Sequence, residues 1–554
     1  MKKIYLSLFG LFALSINAQV WNWAARLNDN TATPVWAFDV AIDNSGNIFT
    51  TNNFYGNNSI CASTFTCSGN KDIFLSKYSS SGSCLWTVQA GTANTASSLD
   101  DQTTGIGVDN SGNVYIAGII KGVATFGDST VSSVPTTSED IFLAKYNSSG
   151  VLQWVRSFGS SNPDLVNDLV VDSNGDCYLT GNMAGILGAT NYSFGSSTFT
   201  GTGFLAKFDS NGNKQWIKNA AYQGNTLAID NSSNVYIAGN STTFSMGSLD
   251  KIDTIIVPTL GTALMNDIYI AKFNSSGSAL WAEVMGGTAT DNPISIDVDA
   301  TGNIALTGTF TGSAMFGVNT FSSSVAATNA FVAKLSTNGS VLWATQVITA
   351  IGATIDEVLF DGSGNILFTG GMNSGSNIGG SYPSPNGSIS PLYLAKFDGS
   401  GSLTAYEHNV GFCYGRALAK NGSNFVLSGS LNGSNCTFGS STISTSGFNT
   451  TCFLASFNPS NMTLSPSAIS ANDKPIELIL APNPTNGMMS LQFATSYSEG
   501  RSISVYNLVG EKLIDNISFD AHVSLDLSSL SSSIYLLNIQ EGDKSVSKRV
   551  VVQH

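Results

Sequence analysis

The chain has 554 residues, a formal net charge of -14 and only 11% charged residues, against 42% hydrophobic residues, 10% aromatic residues and 56 glycines. That apolar content buries a sizeable core and excludes a disordered chain, and the sparse charge with Gly, Ser, Thr and Asn between short apolar runs points away from a helical enzyme and toward an all-β repeat protein. The acidic balance and the lack of any basic run exclude nucleic acid and anionic membrane surfaces as expected partners.

The chain opens Met1-Lys2-Lys3, followed by the apolar run Ile4 to Leu14 and then SINAQ. Two cations, a short apolar stretch and the small Ala18 predict a secretory signal peptide at 1–18, cleaved before Gln19. The run is too short for a spanning helix, and no later segment is apolar enough, so no transmembrane segment is expected. No Cys follows the run, so no lipoprotein anchor is indicated.

From there one pattern repeats: DIFLSKYSSSGSCLW (72–86), DIFLAKYNSSGVLQW (140–154), GFLAKFDSNGNKQW (203–216), DIYIAKFNSSGSALW (267–281), AFVAKLSTNGSVLW (330–343) and LYLAKFDGSGSLTA (392–405). Trp86, Trp154, Trp216, Trp281 and Trp343 stand 68, 62, 65 and 62 residues apart, and Ala405 takes the Trp position in the next copy. Alternating apolar residues predict two strands, and N-S-S-G or D-S-N-G predicts the turn between them. A second hairpin repeats in phase seven times, from VAIDNSGNIFTTN (40–52) through IGVDNSGNVYIAG (106–118) to ALAKNGSNFVLSG (417–429). Its D-x-x-G tetrad offers one carboxylate in most copies, where a calcium loop needs several, so it reads as a turn.

Two hairpins make four strands, and four antiparallel strands make one blade of a propeller. The predicted architecture is a seven-bladed β-propeller over 19–460. The first copy, WNWAARL at 21–27, has a Trp strand without its partner, and the last, CFLASF at 452–457, has the partner without a Trp strand. The N-terminal strand is therefore expected to complete the last blade and remove an open edge. The recurrent Trp is expected to pack between blades, where full burial contributes roughly 2–3 kcal/mol.

These units resemble the bacterial β-propeller repeat family called SBBP, with its pattern D-x-F-L-A-K-[YF]-x-x-x-G-x-x-x-W followed by D-x-x-G-N-V-Y-I-x-G. The resemblance covers roughly 20–460 and implies the fold, not an activity. The Gly-to-Trp spacing is also similar to the tryptophan-docking motif of quinoprotein propellers, a packing device that brings no quinone with it. The sialidase Asp-box is not matched, because Asp-to-Gly and Gly-to-Trp are each one residue too far apart.

The seven cysteines at 61, 67, 84, 177, 413, 436 and 452 match no zinc or redox spacing. They read as structural, with Cys61 and Cys67 closing a small loop and Cys436 pairing with Cys413 or Cys452.

After Phe457 a Ser, Asn and Pro-rich linker is expected at 461–476, and then 477–554 changes character. ELILAPNPTNGMMSLQF, SISVYNLVGEKLI (502–514), VSLDLSSL (523–530), SIYLLNIQEGDK (533–544) and SVSKRVVVQH (545–554) predict a small C-terminal β-sandwich. The elements Pro482-Asn483-Pro484-Thr485-Asn486-Gly487, Val505-Tyr506-Asn507-Leu508-Val509-Gly510, Leu525-Asp526-Leu527-Ser528-Ser529-Leu530, Ile534-Tyr535 and Lys548-Arg549-Val550-Val551-Val552 closely resemble the type A C-terminal sorting domain of the type IX secretion system. Ser533 stands where that family has Gly. The resemblance implies the type IX machinery as a partner, passage through the outer membrane, removal of the domain, and a mature protein that is secreted or attached to the cell surface.

Chemistry is scarce. Of three His, His522 and His554 fall in the tail and His408 on an outer strand, so no nucleophile–His pair or three-His metal site is expected in the propeller. Four residues before each second-hairpin Asp stands a position that reads Asp39, Gly105, Asp168, Thr226, Ser295, Glu357 and Arg416 around the ring. It is expected to face the central channel, as a solvated lining or as a set of acids for cation binding or acid–base work. No catalytic, cofactor or metal residue is assigned. The favoured reading is a non-catalytic binding, adhesion or structural module, with a surface glycan or protein as ligand and the long loops 119–139, 240–266 and 371–391 as contact elements. The alternative is a surface carbohydrate-active hydrolase or lyase using the channel acids.

Overall fold

The computed structural model of the chain describes residues 20–28, 35–67, 71–92, 100–183, 192–194, 197–199, 202–242, 251–256, 265–323, 328–348, 354–372, 376–378, 382–383, 392–409, 413–432, 435–445, 450–462, 478–481, 483–493, 501–507, 512–519, 522–541 and 544–554. The expected signal peptide at 1–18 lies outside them, as does the expected linker apart from Asn461 and Met462. Among them, strands and turns make up the whole fold except for one 3-10 turn at Pro459–Asn461. Two compact parts are separated, Met1–Leu464 and Ser465–His554.

In the first part a four-stranded antiparallel module recurs. Val35–Ile42, Ile48–Phe54, Asp72–Tyr78 and Cys84–Thr92 form the first, and equivalent strands form five more up to His408. The last module is Cys413–Asn421, Asn424–Asn432 and Thr450–Phe457, completed by the N-terminal strand Trp21–Arg26, which pairs Ala24 with Ala455 and Arg26 with Phe453. Seven sheets thus share this core. The leading strand of each packs on the leading strand of the next, and Cys413–Asn421 packs on Val35–Ile42, so the series closes on itself.

The middle strands are buried along nearly their whole length, Val114–Ile120 at every residue, while outer strands such as Val341–Ile348 are only partly covered. A strand covered on both faces reads as a continuous apolar run, which is why VYIAGII lacks the alternation of a half-exposed strand. The long segment 119–139 is not plain loop. Its hairpin Val123–Phe126 and Ser129–Ser132 adds to the outer edge of the preceding module through Ala124–Thr92 pairing, and Ser313–Phe316 and Asn377–Ile378 do the same further on. These additions cover edge strands that would otherwise template aggregation.

The recurrent Trp joins neighbours, as expected, but is half-buried rather than sealed. Trp86, Trp154 and Trp216 donate from Nε1 to Ser148, Ser210 and Ser275 carbonyls in the next module's turn, each at 3.1 Å. The ring lies flat against that turn's glycine. A Cβ on Gly212, already at φ 76, would meet the Trp154 ring at 2.9 Å, so this turn requires glycine twice over. We expect Trp154→Phe to cost about 1 kcal/mol, the bond to Ser210, and Trp154→Ala about 2–4 kcal/mol, measured by urea unfolding.

Disulfides join Cys61 to Cys84 and Cys413 to Cys436. The expected Cys61–Cys67 loop is therefore corrected: Cys61 sits at the turn of the hairpin Asn57–Ile60/Ser63–Thr66, which lays it beside the start of strand Cys84–Thr92. Each bridge closes a separation of 23 residues, so removing one is expected to cost about 3 kcal/mol. Comparing melting of Cys413→Ala/Cys436→Ala with the parent checks this.

The second part holds two antiparallel sheets, one ordered 478–481, 488–493, 522–526 and the other 512–519, 501–506, 533–541, 544–552. The stretch 502–514 is thus divided between two strands. Both sheets contribute to one core that includes Leu491, Leu525, Ile503, Leu537 and Val550.

Candidate functional site

Each leading strand has a bulge just before the channel position. Pairing skips from Ala37 to Asp39, from Val166 to Asp168 and from Ile355 to Glu357. A bulge re-aims the following side chain, here toward the neighbouring module. Asp39, Gly105, Asp168, Thr226, Ser295 and Glu357 occupy equivalent positions, but Arg416 does not. In the last module pairing skips from Gly415 to Ala417, which puts Ala417 at the channel position and Arg416 in the bulge. The turn there is one residue shorter, since Lys420 pairs with Phe425 where Ile42 pairs with Ile48. Counting back from Lys420 therefore lands one place early.

The acids are engaged with main chain. Asp39 Oδ1 accepts from Val40 N at 2.8 Å, and its Oδ2 accepts from Ile106 N of the next module at 2.9 Å. Asp168 repeats this with Leu169 N and Leu227 N, both at 2.7 Å. Ser295 Oγ accepts from Val358 N at 3.1 Å and donates to Glu357 Oε1 at 2.5 Å. Arg416 Nη1 pairs with Asp356 Oδ1 at 3.0 Å, not with Glu357 or Asp168. These side chains tie four neighbouring pairs of leading strands together, through Asp39, Asp168, Ser295 and Arg416.

Burial in the channel wall, with the neighbouring charge of Asp168, pushes Asp39 up to about 7. Burial pushes Asp168 up to about 6, against the pull of its bonds to Leu227, Leu169 and Thr226. Glu357 is raised well above the ordinary range by burial and by Asp39, with Asp168 and Asp297 adding to it.

At the far end of these strands the D-x-x-G acids behave as turn residues. Asp43 Oδ1 accepts from Ser45 N at 2.9 Å and Asn47 N at 2.8 Å, and Asp361 does the same with Ser363 and Asn365. For Asp361, burial opposes ionisation, but the bonds from Asn365 and Ser363 and the nearby Lys396 hold it below the ordinary range. Here four modules meet around a groove of about 860 Å³ whose lining includes Asp230, Asp299, Asp361, Lys334, Lys420 and Asn421. Lys420 crosses it to Asp297 Oδ2 at 3.0 Å.

His408 lies on Leu403–His408, the outermost strand of its sheet, at the opposite edge from Glu357. Among the described residues no group of three or more His, Cys, Asp or Glu is placed to hold a metal ion. Among them, too, no helix is long and apolar enough to cross a membrane, which says nothing of β-barrels.

Comparison with known proteins adds to this. Residues 85–122 match the SBBP β-propeller repeat family, and residues 480–553 match the secretion system C-terminal sorting domain. Over 382 residues the chain is 24% identical to the uncharacterized WD repeat-containing protein L264 of Acanthamoeba polyphaga mimivirus, covering 55% of this chain and 26% of that protein. Over 349 residues it is 27% identical to the regulatory protein FlaEY of Caulobacter vibrioides, covering 57% and 35%. The chain thus spans about a quarter to a third of the curated relatives it matches. A solved protein of unknown function from Dyadobacter fermentans aligns at TM-score 0.39 and 7% identity over 79% of this chain and 98% of its own. One of unknown function from Bacteroides caccae aligns at TM-score 0.31 and 6% identity over 60% and 89%. The chain carries a β-propeller repeat of the SBBP family and ends in a C-terminal sorting domain of the type IX secretion system, which addresses it to the outer surface or the medium.

Proposed function

We propose that the exported protein is a non-catalytic binding module: a seven-bladed propeller over 19–460, followed by a linker at 461–476 and a sorting sandwich at 477–554. The observation that carries this reading is the engagement of the channel acids. Both oxygens of Asp39 and of Asp168 accept main-chain N–H groups, and Glu357 is bonded to Ser295. A general acid or nucleophile needs an oxygen aimed at substrate, and these are aimed at the next strand. The polar groove beside Lys420 and Asn421 offers donors and acceptors, its acids Asp230, Asp299 and Asp361 each accepting from their own turns, and suits a surface glycan or a peptide.

The raised Asp39, Asp168 and Glu357 favour the carbohydrate-active alternative, because perturbed acids cluster at active sites. One experiment separates the two. The purified chain is screened on glycan arrays and intact cells, and assayed for cleavage of the same glycans. Binding that survives Glu357→Gln and weakens at least tenfold in Lys420→Ala/Asn421→Ala is expected. Polysaccharide cleavage that disappears in Glu357→Gln would replace the binding reading with the enzyme.

A further inference from the structure

In the first four modules a row of three side chains runs across the sheet: an aromatic on the second strand, a lysine on the third and the Trp on the fourth. Phe49, Lys77 and Trp86 form it in the first module, and Tyr115, Lys145 and Trp154 in the second. The lysine lies over the aromatic ring, with Nζ 4.8 Å from Phe49 and 4.9 Å from Tyr115, and meets the acid of its own module's turn, Asp43 at 3.7 Å and Asp109 at 4.0 Å. It also donates to the next module's carbonyl that takes the Trp Nε1, Ser148 O at 3.1 Å and Ser210 O at 3.2 Å. Lys334 and Lys396 keep the position in the fifth and sixth modules.

The last module breaks the row. Val426, Ser456 and Trp23 occupy it, and Asn421 stands where Asp43 stands in the first. Six modules have both the lysine and the turn acid, and the seventh has neither. Losing one alone would strand a charge in a covered place, whereas losing both leaves a neutral slot. Val426 and Ser456 are smaller than the aromatic and the lysine, and a pocket of about 350 Å³ opens between the last module and the first. None of its lining residues is charged. Trp23, Ile42, Ile48 and Val426 give it apolar surface, and amides, hydroxyls and Gly46 make up the rest. Trp23 Nε1 donates to Ser80 O at 3.0 Å, and among the described residues no lysine shares that carbonyl. Asn22 Nδ2 donates to Ser456 Oγ at 3.2 Å, and Asn421 Nδ2 donates to Asp43 O at 3.0 Å. Among the described residues nothing engages Oδ1 of Asn22 or of Asn421, the Ser456 hydroxyl proton or the Asn424 side-chain amide.

We propose that this emptied lysine slot binds one uncharged sugar ring, the end residue of a glycan whose next residues lie in the groove that Asn421 also lines. The assignment rests on the binding-module reading above. A guest with a full charge would be desolvated here without a counter-charge, which disfavours ammonium and carboxylate groups. A wholly apolar guest would leave the amides and the Ser456 hydroxyl unpaired. A sugar answers both, because its C–H face packs on indole and aliphatic surface while its hydroxyls donate and accept. A volume near the lower end of ligand pockets, which run from about 300 to 1,000 Å³, holds one ring rather than a chain.

The purified full chain is titrated with glucose, galactose, mannose and N-acetylglucosamine, and with glucuronic acid and N-acetyl-lysine amide as charged counterparts, read by saturation-transfer NMR. Saturable binding of at least one uncharged sugar is expected, and none of either charged compound. Val426→Phe/Ser456→Met fills the slot with uncharged side chains and leaves Lys420 and Asn421 in place. It should melt no lower than the parent and weaken the sugar at least about tenfold. Should it not fold, Asn424→Ala, which removes only an exposed amide, should weaken the sugar severalfold. Binding of none of the uncharged sugars overturns the assignment, as does undiminished binding in the folded variant. Binding of the lysine compound instead would make the slot a docking point for a peptide side chain and also overturn it. Glycan-array binding that weakens in Lys420→Ala but not in the filled variant would keep the binding-module reading and end this one. Sugar binding lost in the filled variant, with array binding indifferent to Lys420→Ala, would keep this one and end the assignment of the groove.

Discussion

Deleting the last five residues, Val550 to His554, is expected to trap the protein inside the cell envelope, with at least a tenfold loss from the surface and medium. The sorting domain is held together from its two ends. Asn483 Oδ1 accepts from Val551 N at 2.9 Å, Thr485 N donates to Val551 O at 2.9 Å, and Gln553 N donates to Thr485 O at 2.8 Å. Val550 and Val552 are buried in the core shared by both sheets. Cutting at 549 therefore removes two core side chains and releases Asn483 and Thr485, each loss worth on the order of 2 kcal/mol in a domain this small. The first part of the chain is a separate compact unit with its own cores, so it should still fold and remain detectable. Fractionation with immunoblotting of surface, medium and periplasm reads the result. Wild-type amounts of the truncated chain in the medium would show that export does not depend on an intact sorting domain. Terminal mass spectrometry of the exported form should place its C-terminus within 460–476 if the domain is removed after passage.

The repeat was legible because its signals are local. A strand needs a short apolar run, a turn needs Gly or Asn at fixed places, and both recur with each Trp. The half-copies at the two ends even predicted the pairing of Trp21–Arg26 with Thr450–Phe457. What stayed illegible depends on register between strands far apart in sequence. Arg416 looked like a channel residue because one turn is a residue shorter than its copies. Cys61 looked closer to Cys67 than to Cys84 because sequence distance hides the hairpin that carries it. Asp140 and Asp164 are plain in the sequence, but they become a pair only when the next module's leading strand is laid against Gly159. The channel acids were found by counting, whereas their bonds to neighbouring main chain were not, since a side chain's partner across modules leaves no trace in its own repeat.

The second large effect is an inverted dependence on pH. Most proteins lose stability in acid because their carboxylates are more acidic when folded. Here Asp39 at about 7 and Asp168 at about 6 are raised, as is Glu357, and outside the channel Asp101 and Asp140 reach about 6 and Asp291 about 7. Between the ordinary carboxylate range and these values the folded state holds more protons than the unfolded state. Stability therefore falls as pH rises through that window, by up to about 3–4 kcal/mol for a group shifted as far as Asp39 or Asp168. Of the nearby cations, Arg416 is paired with Asp356 and Lys420 with Asp297, so neither offsets the three channel acids directly. In chelator the melting point should be highest near pH 5 and fall steadily to pH 8. Glu357→Gln keeps an acceptor for Ser295 and imitates the protonated acid. It should leave melting at pH 5 unchanged and raise it by several degrees at pH 8, flattening the slope. A melting point that rises from pH 5 to pH 8 in chelator would mean that the channel acids are ionised throughout and that a counter-charge, not a proton, balances them.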